Sequence, residues 1–128
     1  MTRPSRWVNL RAAVHRLASS DDELVAEGMA ESVQAAGALP IAGLQSRQMA
    51  DLRGEIVAVT LGTATGRPEF EADLFDGSGH IALVWLGRNH VRGIEVGNQV
   101  RLTGRVADRH GQLVIYNPEY FLEVPPTA

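Results

Sequence analysis

A chain of 128 residues has room for one core and a small appendage, and its 45% apolar and 21% charged content is that of a globular chain rather than a collagen-like or disordered one. With no cysteine, neither a disulfide framework nor a thiolate metal site can be built. The net charge of −3 argues against holding nucleic acid by bulk electrostatics, because affinity for phosphates grows with each paired cation.

The N-terminus carries arginines but no apolar h-region or small-residue cleavage site, so no signal peptide is expected and the cytoplasm is the expected location. The longest apolar runs, such as Ile81 to Leu86, fall far short of the ~20 residues a membrane helix needs. All twelve basic residues are arginine. Codon bias in a GC-rich genome accounts for that, although a rigid guanidinium fork also suits phosphate and base stacking.

Near residue 50 the pattern changes. Trp7, Leu10, Val14 and Leu17 recur at spacings of three and four, marking one apolar helix face. Ser20-Asp21-Asp22-Glu23 has the capping-box spacing and predicts a second helix to about Ala36, with Gly37 as its C′ residue and Leu24, Val25, Met29 and Val33 as its apolar stripe. Four arginines (3, 6, 11 and 16) precede this cap, and Asp21, Asp22, Glu23, Glu27 and Glu31 follow it. The acidic cluster complements the helix dipole, and the two charged segments suit pairing or oligomer contacts better than a phosphate-binding arm. Residues 37–43 read as a connector, with Pro40 disfavouring helix before it.

From Leu52 onward the period becomes two. Glu55 to Leu61 reads as a strand, Gly62 to Pro68 as a polar loop, and Phe70, Ala72 and Leu74 as the inner face of a second strand. Asp76-Gly77-Ser78-Gly79 is a tight hairpin signal. Ile81 to Leu86 returns, with Ile81, Leu83 and Trp85 on one face. Gly87 to Gly97 is an excursion with room for a short helix. Val100 to Ala107 and Leu113 to Leu122 complete the set, joined by a turn over Asp108 to Gln112. Asn117-Pro118 should end regular pairing, since Pro118 has no N–H to donate. Five strands with an excursion between the third and fourth is the order of an OB-fold. The expectation is therefore a mainly β chain: residues 1–50 a helical extension and linker, 51–124 a five-stranded OB-fold Greek-key barrel, and 125–128 a tail.

The strand, Asp-Gly-Ser-Gly, the strand ending in Val84-Trp85-Leu86, Gly97-Asn98-Gln99-Val100, Gly104 and Tyr116-Asn117-Pro118-Glu119-Tyr120 together resemble the OB-fold wedge domain of RecG-type branched-DNA helicases. The likeness covers roughly Arg53 to Glu123. The whole chain resembles small actinobacterial proteins described as OB-fold nucleic-acid-binding. In the helicase, the wedge engages a DNA junction and helps split its strands, so the resemblance implies a barrel that touches single-stranded or forked nucleic acid. The helicase motor is not implied: a chain without lysine cannot carry a Walker A loop.

An OB-fold binds strands across its second and third strands, flanked by the loops joining strands one and two and strands four and five. The candidate nucleic-acid-binding residues are Arg67 in the first loop, Arg88 and Asn89 after the third strand, and Arg101 and Arg105 on the outward face of the fourth. Arg109 in the last loop completes the cations, and Phe75, Tyr116 and Tyr120 are candidates for stacking. Glu71 and Asp73 should project from the second strand and repel phosphates unless arginines neutralise them. Phe70 and Trp85 fall on inner faces. Phe75, Val84 and Leu86 would form an outward apolar strip suited to a protein partner as well as to a base.

His15, His80, His90 and His110 are scattered, with no i, i+4 pair, and neither a nucleophile elbow nor a dinucleotide-binding glycine fingerprint occurs. No catalysis, cofactor or metal is expected. Two functions follow: a non-catalytic module binding single-stranded or branched DNA, or RNA, weakly; or a protein-interaction module that oligomerises through its N-terminal helices.

Overall fold

The computed structural model describes residues 20–123. The expected first helix and the C-terminal tail lie outside them. Helix α1 spans Ser20–Ala35. It ends as its sequence predicts: the Gly37 N–H donates to the Gln34 carbonyl and the Ala38 N–H to that of Val33, a Schellman cap with Gly37 at C′. The expected apolar stripe docks only in part. Val33 is buried, but Leu24 and Val25 are each 63% exposed, because the helix meets the sheet only from Ala26 onward.

Six strands follow: β1 (Met49–Ala64), β2 (Arg67–Phe75), β3 (His80–Leu86), β4 (Gln99–Arg109), β5 (Gln112–Tyr116) and β6 (Glu119–Glu123). The first is more than twice the expected length because it serves two partners in turn. Met49 to Glu55 pairs with β4, and Glu55 to Ala64 pairs with β2. A bulge between Ile56 and Ala58 re-aims the strand where the partners change. The polar loop expected over Gly62 to Pro68 shrinks to a two-residue turn. Thr65 and Gly66 both have positive φ (50° and 78°), and His110 and Gly111 repeat this between β4 and β5 (55° and 84°), the geometry whose twist matches flanking strands.

The strands close into a ring in the order β1-β2-β3-β5-β4-β1, antiparallel throughout except for β3 with β5. That order is compatible with the barrel expected from the sequence. The last expected strand is split. At Asn117 (φ 50°) the chain turns, its N–H donating to the Val84 carbonyl and its Oδ1 accepting the Leu86 N–H. Beyond Pro118, β6 pairs again with β4. The 87–97 excursion contains turns and no helix.

Inside the ring, Leu52, Ile56, Phe70, Leu74, Leu83, Trp85, Leu102 and Ile115 form the core, as the alternation predicts for Phe70 and Trp85. Each such side chain contributes roughly 1.5–3 kcal/mol on burial. Ile41 and Leu44 belong to the same core. The segment before β1 is thus laid against the ring, with the Leu39 N–H bonded to the Asp51 carbonyl and the Arg47 N–H to that of Val106. Asp76 ties this segment to the β2–β3 turn. Its Oδ1 accepts the N–H groups of Ser78 and Gly79, and its Oδ2 accepts that of Ile41.

Candidate nucleic-acid interface

Along β2, the outward residues are carboxylates: Glu69, Glu71 and Asp73. The sequence places them on the face opposite Phe70, Ala72 and Leu74, and that direction is correct. Their surroundings are not as expected. Glu71 and Asp73 are each 0% exposed, and so is Val84 beside them on β3. Ala82, Val84 and Val114 form a second small apolar cluster on the outside of the ring, with Ala107 against it. The expected Phe75/Val84/Leu86 surface strip therefore does not form. Val84 is packed away, the half-buried Phe75 ring lies 4.7 Å from that of His80, and only Leu86 is well exposed.

Burying carboxylates demands partners, and the chain supplies them from distant strands. Arg109, at the tip of β4, reaches across β5 and β3 and donates to both oxygens of Glu71 at 3.1 and 3.2 Å. The same guanidinium stands 4.0 Å from Glu69. Asp73 Oδ2 lies 2.8 Å from His80 Nδ1. Glu69, Glu71 and Asp73 each have a further interaction as well. The middle of the strand-two and strand-three face is closed to a nucleobase, and Arg109 is part of what closes it.

Other candidate residues are likewise committed. Arg101 makes a two-pronged pair with Asp51 at 3.0 and 2.9 Å and donates to the Ala36 carbonyl. Donating to the Asp51 carboxylate raises the guanidinium pKa, as befits a cation held by its own chain. Tyr120 stacks edge-on to Trp85, with centroids 5.6 Å apart, and its hydroxyl donates to the Arg92 carbonyl. Phe75 sits at the His80 end of the hairpin, away from the remaining candidates.

Those remaining candidates converge. The β2–β3 ladder runs from Phe75↔His80 to Glu69↔Leu86, and the Gly87 N–H closes it on the Pro68 carbonyl. Arg67, Arg88 and Asn89 therefore flank one end of the hairpin. Tyr116 pairs with Val84 at that same end, and one step beyond Val106↔Ile115 the β4–β5 register brings Arg105 opposite Tyr116. Arg67, Arg88, Asn89, Arg105 and Tyr116 are all exposed, Tyr116 by 39%. Arg105 spends one N–H on the Arg47 carbonyl, while the Arg67 and Arg88 guanidinium groups have no hydrogen bond or ion pair among the described residues. A rim of cations around an exposed ring crosses β2, β3, β5 and β4. Leu86, 48% exposed, lies within it, whereas its sequence places it in the apolar strip and not among the candidate nucleic-acid-binding residues.

A cleft of about 640 Å³ opens elsewhere, beside Ile41, His80 and the His110–Gln112 turn, and its described lining includes no arginine to meet a phosphate. No group of three or more metal-ligating side chains occurs among the described residues. No helix there is long and apolar enough to cross a membrane.

No protein-family model matches the chain, and no curated protein matches it. Among solved structures, it is similar to RecG bound to a three-way DNA junction, with a TM-score of 0.59 and 24% sequence identity. The likeness covers 66% of this chain and 12% of that one. It is a likeness of fold, and it agrees with the RecG-type barrel that the residues between Asp76 and Tyr120 resemble.

Proposed function

We propose that the protein is a non-catalytic OB-fold module that binds single-stranded or branched nucleic acid, DNA foremost and RNA by the same chemistry, weakly and in the cytoplasm. The observation that carries this reading is the rim: Tyr116 exposed between Arg105 on one side and Arg67 and Arg88 on the other. Cations along a backbone path with a ring for base stacking are what strand binding requires, stacking contributing ~1–3 kcal/mol per base. The fold likeness to a protein solved on a DNA junction supports the same ligand class, and the shared segment is a small part of that protein. The site moves from the middle of the barrel face to its end, because Glu71, Asp73 and Val84 are buried. The likeness to small actinobacterial OB-fold proteins belongs to the same proposal.

The test is fluorescence anisotropy with a labelled single strand and a labelled three-way junction at low salt, using the full chain and two variants. Arg67→Ala with Arg88→Ala, and separately Tyr116→Ala, should each weaken binding about tenfold or more, a loss of ~1.4 kcal/mol. Binding that is absent at low salt, or unchanged in both variants, would remove the proposal.

A further inference from the structure

We infer that the outer edge of β1, from Ala58 to Ala64, pairs with the same edge of a second copy of this chain in an antiparallel two-fold arrangement. The inference does not depend on what the barrel binds.

On the side away from β2, the pairing of β1 with β4 ends at Glu55↔Gln99. The last backbone bonds on that side belong to Ile56, whose N–H donates to the Asn98 carbonyl and whose carbonyl accepts the Gly97 N–H. From the bulge onward no strand among the described residues pairs with that edge, although β2 holds the other through Ala64↔Arg67. Among the described residues, the result is a hairpin arm whose outer row of backbone donors and acceptors has no strand partner. Such rows template the addition of another strand unless charge, proline, a cover or strong twist prevents it.

Among the described residues, none of the first three protections is present on this arm. Ile56 to Gly66 contains no charged residue and no proline, and the segment is rich in β-branched valine and threonine. Val59 and Leu61 lie 37% and 57% exposed, and no described element covers them. Their cross-strand partners Ala72 and Phe70 are core residues, so both side chains extend the inner apolar face beyond the point where the ring closes.

A second copy fits because a two-fold antiparallel pair sets the segment against itself. Such a pair fails when like charges meet across the axis, and here there are none to meet. Centred on Leu61, it would bring Val59 and Leu61 of both copies onto one shared face. A foreign strand would have to be chosen by charges or side-chain pockets, and this edge offers neither.

Sedimentation velocity of the full chain over a dilution series, up to about 100 µM, tests the inference by mass action. The expected result is a reversible monomer–dimer equilibrium, with hydrogen exchange of amides 58–64 slowing as concentration rises. Leu61→Lys, at a side chain already half in solvent, should weaken the dimer at least about tenfold by facing lysine with lysine. Its melting temperature in dilute solution should not change. Thr63→Lys serves the same purpose if the first variant fails to fold. A wild-type chain that stays monomeric throughout would overturn the inference. So would a dimer that neither substitution weakens, which would locate assembly elsewhere, as on Leu24 and Val25 of α1.

Discussion

At the scale of single residues, Arg109 and Glu71 carry the most consequence. The sequence offers Arg109 as a ligand for phosphate, and the structure gives it to a carboxylate that has no exposure. Removing one partner of a buried pair leaves the other charged and desolvated, at a cost of roughly 3–5 kcal/mol in well-isolated cases. Glu71 has another interaction, so Arg109→Ala should cost somewhat less, about 2–4 kcal/mol, read as a lowered urea midpoint. Glu71→Gln added to that variant should recover part of the loss, because no unpaired charge remains. Alternation in the sequence was sufficient to say which way Glu71, Asp73 and Val84 point. It could not say that their face is covered, because parity reports direction and burial depends on what packs there. Arg101 illustrates the same limit: its outward register is legible, and its engagement by Asp51, fifty positions away, is not.

Among the elements, the β2–β3 turn and α1 form one unit. Asp-Gly-Ser-Gly is readable as a hairpin turn, and Gly77 does adopt the positive φ (92°) that explains it locally. Its second role is invisible in the sequence. A Cβ on Gly77 would stand 2.2 Å from the Ala26 carbonyl oxygen and 2.8 Å from the Ala30 nitrogen, both backbone atoms of α1. Gly77→Ala should therefore lift the helix from the ring of strands, and amide exchange in α1 should accelerate while the strands stay protected. Gly66→Ala is the control, with a comparable φ of 78° and nothing within 4 Å of the added carbon. It should show only the backbone strain, about 1 kcal/mol, with α1 unaffected. Element boundaries were harder to read than element identities. The extension of β1 back to Met49 and the resumption of pairing after Pro118 both depend on β4 being available on two sides, which no local pattern encodes.

For the whole molecule, a net charge of −3 and a local rim of arginines make opposite demands on an anionic strand. The rim should win at short range and the net charge at long range, so binding should be weak and should fall as salt rises. With Arg67, Arg88 and Arg105 each neutralising one phosphate, log K against log salt for a single strand should fall with a slope of about −2, and Arg67→Ala should flatten it by ~0.7. Whereas β6 was not separated from β5, the chain order of the five strands that make the ring was legible from alternation and turn residues. The place left free on its surface was not, since it is what remains after internal ion pairs have taken their arginines. The ring also has a temporal side. Its closure rests on β1 meeting β4 and on β3 lying parallel to β5, contacts such as Leu52↔Leu102 and Leu83↔Ile115 that join distant parts of the chain. Loop-closure entropy must be met before those contacts return anything, which slows folding relative to a helical domain of this size. On a ribosome, the β1–β2–β3 meander can assemble early but stays an open sheet until Ile115 emerges. For that interval the nascent chain depends on whatever shields the edge of β3.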